Sequence, residues 1–426
     1  MKTINIYILI FVSFFASIQS QELLPFVENF TITDYEGDNQ VWSATQGEDN
    51  AMYFANNHYF LRYNGVKWDK YFLPYKTVIR SVFGDKDRIY CGSYTEFGFW
   101  KRQNGEMKYQ PLSKGKDLFK GYSDNEEIWK IFKFKDKIYF QSFNELFIYN
   151  GAKVEKIRLP FQISYCFVVD DEMYLASVRE GVFKFQNKKC IKIEHWKALE
   201  NNVIHAIDVY QNQKYVFTQK NGVFLENGRN LLAWQNNLNN ELKQDIIITA
   251  KFLTKDRLAI GTAFKGLYLI DMKTGDFVNI NRSNSLKNNS VLSIGLDREN
   301  DIRLGLDNGI AHVEINSPYS IFSDNTGILG SVYAVSFSEN GYLLGSNHGL
   351  FVFKNKKLNV LPNSQGHVWE ILKDKNQYII GHNDGTFVYQ NASLSKVNAV
   401  NGGWNMLKST GLTHFLRFFI FNPVRV

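Results

Sequence analysis

The sequence predicts an all-β chain: a β-propeller of four-stranded antiparallel blades, with a seven-bladed first ring and an incomplete second propeller. Three observations predict it. The composition is strongly aromatic, with 35 Phe, 23 Tyr and 8 Trp against 7 Pro in 426 residues, which favours strands over helices. An apolar pair recurs about every forty residues, the length of a propeller blade. Between recurrences the chain alternates apolar and polar residues and turns at Asn-Gly pairs, the pattern of antiparallel hairpins.

Residues 1–20 place Lys2 before an apolar run from Ile4 to Phe15 and then small residues up to Ser20. This is the pattern of a secretory signal peptide, too short in its apolar part for a membrane span, with cleavage expected near Ser20. An exported, periplasmic or otherwise extracytoplasmic chain follows. Cys91, Cys166 and Cys190 are odd in number and show no CxxC spacing, so neither a disulfide framework nor a zinc site is indicated. The formal charge of +7 is spread over 49 basic and 42 acidic residues. Its densest basic run, residues 184–197, suits a lysine-rich outer strand that discourages edge pairing. No recognition helix supports nucleic-acid binding by this segment.

The repeat begins at Val41-Trp42 and returns at Val78-Ile79, Ile128-Trp129, Ser164-Tyr165, Ile204-His205, Ile247-Ile248 and Val291-Leu292. It continues at Val332-Tyr333, Val368-Trp369 and Gly403-Trp404. A glycine follows 16 to 18 residues after most anchors, at Gly181, Gly222, Gly266, Gly309, Gly349 and Gly385, where the turn into a third strand needs a positive φ or a crowded backbone. A twisted four-stranded sheet leaves apolar faces bare on both sides, and stacking around an axis buries them.

Ten units exceed one ring, so the chain is expected to divide at residues 21–316, a seven-bladed propeller, and 317–426, the first three blades of a second, truncated one. Residues 30–35 are expected to supply the outer strand missing from the seventh unit, 291–314, and Tyr319-Ser-Ile-Phe322 to open the second ring likewise. After Leu416 the run RFFIFNPVRV breaks the repeat, which reads as a frameshift, premature stop or truncated reading frame.

Ligands of propellers gather where loops enter the innermost strands and join the second and third. That face should carry Trp42, Arg80 and Trp129 at the strand entries and Tyr94, Glu96 and Arg179 from the other loops. Aromatic faces beside Arg and Glu suit an oligosaccharide or similar small ligand. Packing between blades is the stronger account of Trp42 and Trp129, since Trp369 and Trp404 occupy the same repeat position. The eight histidines form no HxH or HExxH pair, and no GxSxG elbow or phosphate loop occurs, so no enzyme and no cofactor or metal is predicted. The adjacent carboxylates Asp170-Asp171 and Glu126-Glu127 would point to opposite faces of a strand, which defeats joint acid/base work.

The phrases NQVWSATQGEDNAMYFANN, RIYCGSYTEFGFWKR and FQSFNELFIYN resemble the N-terminal sensor region of Bacteroidetes two-component-regulator-propeller proteins, in particular the flavobacterial branch with a LuxR-type helix-turn-helix. The resemblance covers residues 22 to about 416. It implies a periplasmic sensor of two propellers followed by a three-tyrosine domain, a membrane helix and an output module acting in signal transduction or transcriptional regulation. None of those later modules stands in this sequence, so contact with a membrane is expected only through a missing C-terminal part. A small ligand and a second copy of the chain, as a homodimer, are the partners this reading allows. A free periplasmic binding or scaffold propeller is the alternative, and a polysaccharide hydrolase or lyase a third.

Overall fold

The computed structural model describes residues 23–416 apart from 120–125, 255, 323, 325–326, 356, 399 and 410–411. The expected signal peptide and the terminal run from Arg417 lie outside the described residues. The described chain falls into two compact units, one of them Leu24–Ile321 and the other containing the residues from Phe322 onward.

In the first unit six consecutive four-stranded meanders occupy residues 43–71, 79–111, 130–158, 163–192, 204–233 and 247–280, hereafter blades 1 to 6. Blade 7 takes three strands, Val291–Leu296, Ile302–Leu306 and Ile310–Glu314, and its fourth from the other end of the unit. That strand is Phe26–Phe30, paired antiparallel from Phe26 opposite Glu314 to Phe30 opposite Ile310. The first unit is therefore a seven-bladed β-propeller closed by its own N-terminal strand, which joins the two ends of the ring within one blade.

The closing strand lies earlier than residues 30–35. Ile32–Tyr35 instead form one helical turn, because the Asp34 carboxylate accepts from the Thr31 N–H at 2.6 Å and from its hydroxyl at 2.8 Å. Its product is the burial of Tyr35 at 1 % exposure, against Phe30, Val41 and Phe54. The segment expected to open a second ring also departs from expectation. Ile321 exchanges backbone hydrogen bonds with Leu24 at 2.7 and 2.9 Å as an isolated bridge of the first unit, whereas Phe322 packs on Phe353 within the second at 4.6 Å, and no regular strand forms over the described residues of 319–322.

Aromatic side chains fill the spaces between blades. Phe60 of blade 1 stacks on Trp100 of blade 2 at 4.9 Å and 4°, and Phe97 of blade 2 meets Phe140 of blade 3 at 4.4 Å. Each such ring, at zero to four per cent exposure, contributes roughly 2–3 kcal/mol by its removal from water. Close approach also needs glycine. A Cβ on Gly92, in the second strand of blade 2, would lie 2.5 Å from Ile128 Cγ2 at the entry to blade 3.

The repeated glycines of the turn into the third strand do adopt positive φ, from 74° at Gly222 to 146° at Gly349. The Asn-Gly turns differ among themselves. Asn104 and Gly105 both have positive φ, whereas Asn64 and Asn150 use their side-chain oxygens to accept the two following backbone N–H groups beyond their glycines. Asp170 and Asp171 sit not on a strand but in a hairpin turn with φ of 50° and 56°. Lys189–Lys192, within the basic run, is the outer strand of blade 4.

The second unit contains two four-stranded sheets, residues 332–360 and 368–398, and a two-stranded pair, Asn405–Ser409 with Leu412–Leu416. No helix among the described residues is long and apolar enough to cross a membrane.

Candidate functional site

The innermost strands of the first unit share a register fault. In blades 2, 4, 5, 6 and 7 the pairing with the second strand slips around Arg80, Ser164, His205, Ile248 and Leu292, each at or beside the anchor of its unit. Such a bulge leaves one residue unpaired and re-aims its side chain. The repeat thus builds a ring of re-aimed side chains at the entry to the central channel. Residues from the innermost strands of all seven blades line one cavity of about 410 Å³ along that channel.

Three of the sequence-predicted residues meet at this entry. The Arg80 guanidinium lies over Trp42 at 4.5 Å and over Trp129 at 4.9 Å, and the two indoles stand edge to face at 5.9 Å and 85°. Glu127 then takes Arg80 through two hydrogen bonds, Nε to Oε2 at 3.1 Å and Nη2 to Oε1 at 3.4 Å. The Trp42 Nε1–H donates to Asn57 Oδ1 at 2.9 Å, and the buried Trp129 Nε1–H has no hydrogen-bond partner among the described residues. Cation–π contacts of a half-sheltered guanidinium are worth about 1 kcal/mol each, so the trio is a preassembled platform rather than a mobile side chain.

Tyr94, Glu96 and Arg179 do not line the cavity. Tyr94 acts through its backbone, since a bridge from Tyr94 to Glu127, flanked by bonds from Thr95 N to Glu126 O and from Ile128 N to Ser93 O, sets Glu127 beside Arg80. Glu96 points inward to Tyr109 and Cys91 at 6 % exposure, and burial pushes its carboxyl above the ordinary range. Arg179 is exposed at the turn between the second and third strands of blade 4, where its carbonyl accepts from Asn201 N at 2.9 Å.

Deeper in the channel the lining is cationic. Lys130 of blade 3 donates to the Cys166 carbonyl at 2.8 Å and sits over the Phe167 ring at 4.4 Å. Surrounding protein holds its ammonium down to about 8, with Lys251 adding to the effect. Lys251 of blade 6 lines the same cavity, and its ammonium makes no hydrogen bond or ion pair among the described residues. Asp208, the nearby carboxylate, spends its oxygens on the backbone N–H groups of Val209 and Phe252 at 2.8 and 2.9 Å. Burial lowers His205, at the entry, to about 4, which keeps it neutral at pH 7.

The sequence reading missed Glu127 as Arg80's partner, and missed Lys130, His205 and Lys251. The available signal was a lysine among the apolar residues of an innermost strand, as in Lys130-Ile-Phe and Ala250-Lys-Phe.

No family model and no curated protein matches the chain. Solved structures do. The extracellular domain of the putative hybrid two component system BT3049 from B. thetaiotaomicron superposes with a TM-score of 0.68 at 17% identity, over 92% of this chain and 57% of that one. The extracellular domain of the putative one component system BT4673 from the same organism gives 0.55 at 17%, over 90% and 56%. The chain thus spans little more than half the length of these neighbours. Streptogramin B lyase gives 0.52 at 10% identity, over 70% of this chain and all of that one. At these identities the likeness establishes the fold, a β-propeller.

Proposed function

We propose that the chain is the exported, ligand-sensing propeller region of a signalling protein, non-catalytic, with the channel entry of the first unit as its ligand site. The observation that carries this reading is the Trp42–Arg80–Trp129 platform, assembled by three successive blades over a cavity shared by all seven. Indole faces stack on the C–H faces of sugars. The fold shared with extracellular domains of putative two- and one-component systems supports sensing as the use of such a site, and an extracytoplasmic location agrees with the signal-like residues 1–20. Ligand binding would then shift the population of conformations communicated to an output module.

The test is calorimetric titration of the purified chain with oligosaccharides released from plant, algal and host polysaccharides, monitored in parallel by tryptophan fluorescence. Binding that quenches fluorescence and weakens tenfold or more in Trp42→Phe, with melting temperature unchanged, supports the reading. Binding unaffected by Trp42→Phe and Arg80→Met moves the site elsewhere, and turnover of any of these substrates replaces sensing by catalysis.

A further inference from the structure

We infer that the channel of the first unit takes a ligand through an acid group, a carboxylate or sulfate held between Lys130 and Lys251. The inference rests on the reading of this channel as the ligand site and adds the ligand's charge.

The two lysines come from blades 3 and 6 and line one cavity. Among the described residues their ammonium groups make a single hydrogen bond between them, from Lys130 to the Cys166 carbonyl. Every other cation or anion near them is already engaged. Arg80 is neutralised by Glu127, and Asp208, held by two backbone N–H groups, attracts both lysines through space but forms no ion pair with either among the described residues, so one carboxylate faces two ammonium groups. His205 is neutral at pH 7 and Tyr165 is uncharged there. What remains is a pair of ammonium groups lining one cavity, one net positive charge beyond what Asp208 offsets, mutually repulsive and rich in unused donors. An oxyanion placed between them relieves the repulsion and accepts from both, in charge-assisted hydrogen bonds stronger than those between neutral groups.

The geometry also says how the rest of the ligand lies. Above the lysines stand Tyr165, His205 and the Trp42–Arg80–Trp129 platform, which offer ring faces and few free charges. A cavity of about 410 Å³ falls in the range of small-molecule sites. A compact hydroxylated body with one acid group, such as a sugar acid free or at the end of a short chain, matches charge below and rings above.

Calorimetry of the full chain at pH 7 and fixed ionic strength, with glucuronate, glucose, acetate and sulfate as probes, tests this. The expected result is glucuronate binding at least tenfold tighter than glucose, reduced tenfold or more in both Lys251→Met and Lys130→Met. Lys251 makes no hydrogen bond or ion pair among the described residues, so its variant should keep the wild-type melting temperature even if Lys130→Met, which loses its place over Phe167, does not. Equal binding of glucose and glucuronate, or glucuronate binding that survives Lys251→Met, overturns the inference and leaves the saccharide reading standing. Lys251-dependent binding of sulfate or acetate with no binding of either sugar upholds the acid site and removes the saccharide. Absence of binding by all four probes overturns it.

Discussion

The same repeat position carries two different chemistries in the two units. In the first, a guanidinium lies between Trp42 and Trp129 and is paired with Glu127, and Arg80 is left 17% exposed. In the second, register slips around Tyr333 and Trp369 build a cluster without a cation. His367 stacks on Trp369 at 4.9 Å and 9°, Tyr333 lies 5.1 Å from Trp369, and Trp404 stands 6.2 Å away. Tyr333 and Trp404 remain 49% and 38% exposed. One detail is common to both, since Trp369 Nε1 donates to Asn383 Oδ1 at 2.8 Å as Trp42 Nε1 does to Asn57 Oδ1 at 2.9 Å. The backbone of the blade therefore fixes where a large side chain is presented, and the residue chosen there fixes what the position can bind.

The largest break in this comparison comes from opening the closed ring. Removing residues 21–31 deprives blade 7 of its outer strand, and the first unit should melt more than roughly 10 °C lower by circular dichroism, with a broadened transition, because an exposed sheet edge and the Phe30–Tyr35 packing are lost together. A single indole comes next. Trp129→Ala should cost about 2 kcal/mol in denaturant melts through lost packing on Arg80 and Phe143, whereas Trp404→Ala, one-third exposed already, should cost under about 1 kcal/mol. Equal costs would mean that the two clusters are alike in more than position.

Charge separates the clusters further. Arg80→Met leaves Glu127 half-buried and unpaired, so a loss of about 1–2 kcal/mol is expected, recovered in part by adding Glu127→Gln. The shared hydrogen bond supplies a sharper control. Asn57→Ala and Asn383→Ala should each cost about 1 kcal/mol, and equal values would confirm that the bond belongs to the repeat rather than to either site. A separate effect is one of pH. Lys130 titrates near 8 in the folded chain and at 10.5 in the ordinary case, so from about pH 8 to 10.5 the unfolded chain holds a proton that the folded chain has shed. Stability should rise with pH across that window in the wild type, and the rise should be smaller in Lys130→Met.

Period and turn chemistry made the blades legible, because local alternation and a glycine at fixed distance from each anchor are properties of single hairpins. The mouth of the channel was half legible for the same reason. Trp42 and Trp129 are anchors of the repeat, and a register slip one residue past the anchor Ile79 brings Arg80 between them. Glu127 was not legible, since it reaches Arg80 from 47 residues away through a backbone bridge at Tyr94. Glu96 misled because a charged residue in a loop reads as exposed, while here the turn folds it against Tyr109 in the blade interior. The lysines of the channel were hidden by alternation itself, which assigns every polar residue of a strand to solvent and has no place for solvent at the axis of a ring.

The seam of the first unit has a consequence for how the protein is made. Phe26–Phe30 is among the first segments to leave the ribosome, and its partner Ile310–Glu314 is among the last of the ring. Every blade between them must be synthesised while that strand waits without its ladder, and the ring becomes sealed only when both have arrived. Closure thus doubles as a count of length. A chain interrupted before residue 310 keeps a free strand and an open seventh blade, the kind of edge that pairs with strangers and draws the attention of chaperones and proteases.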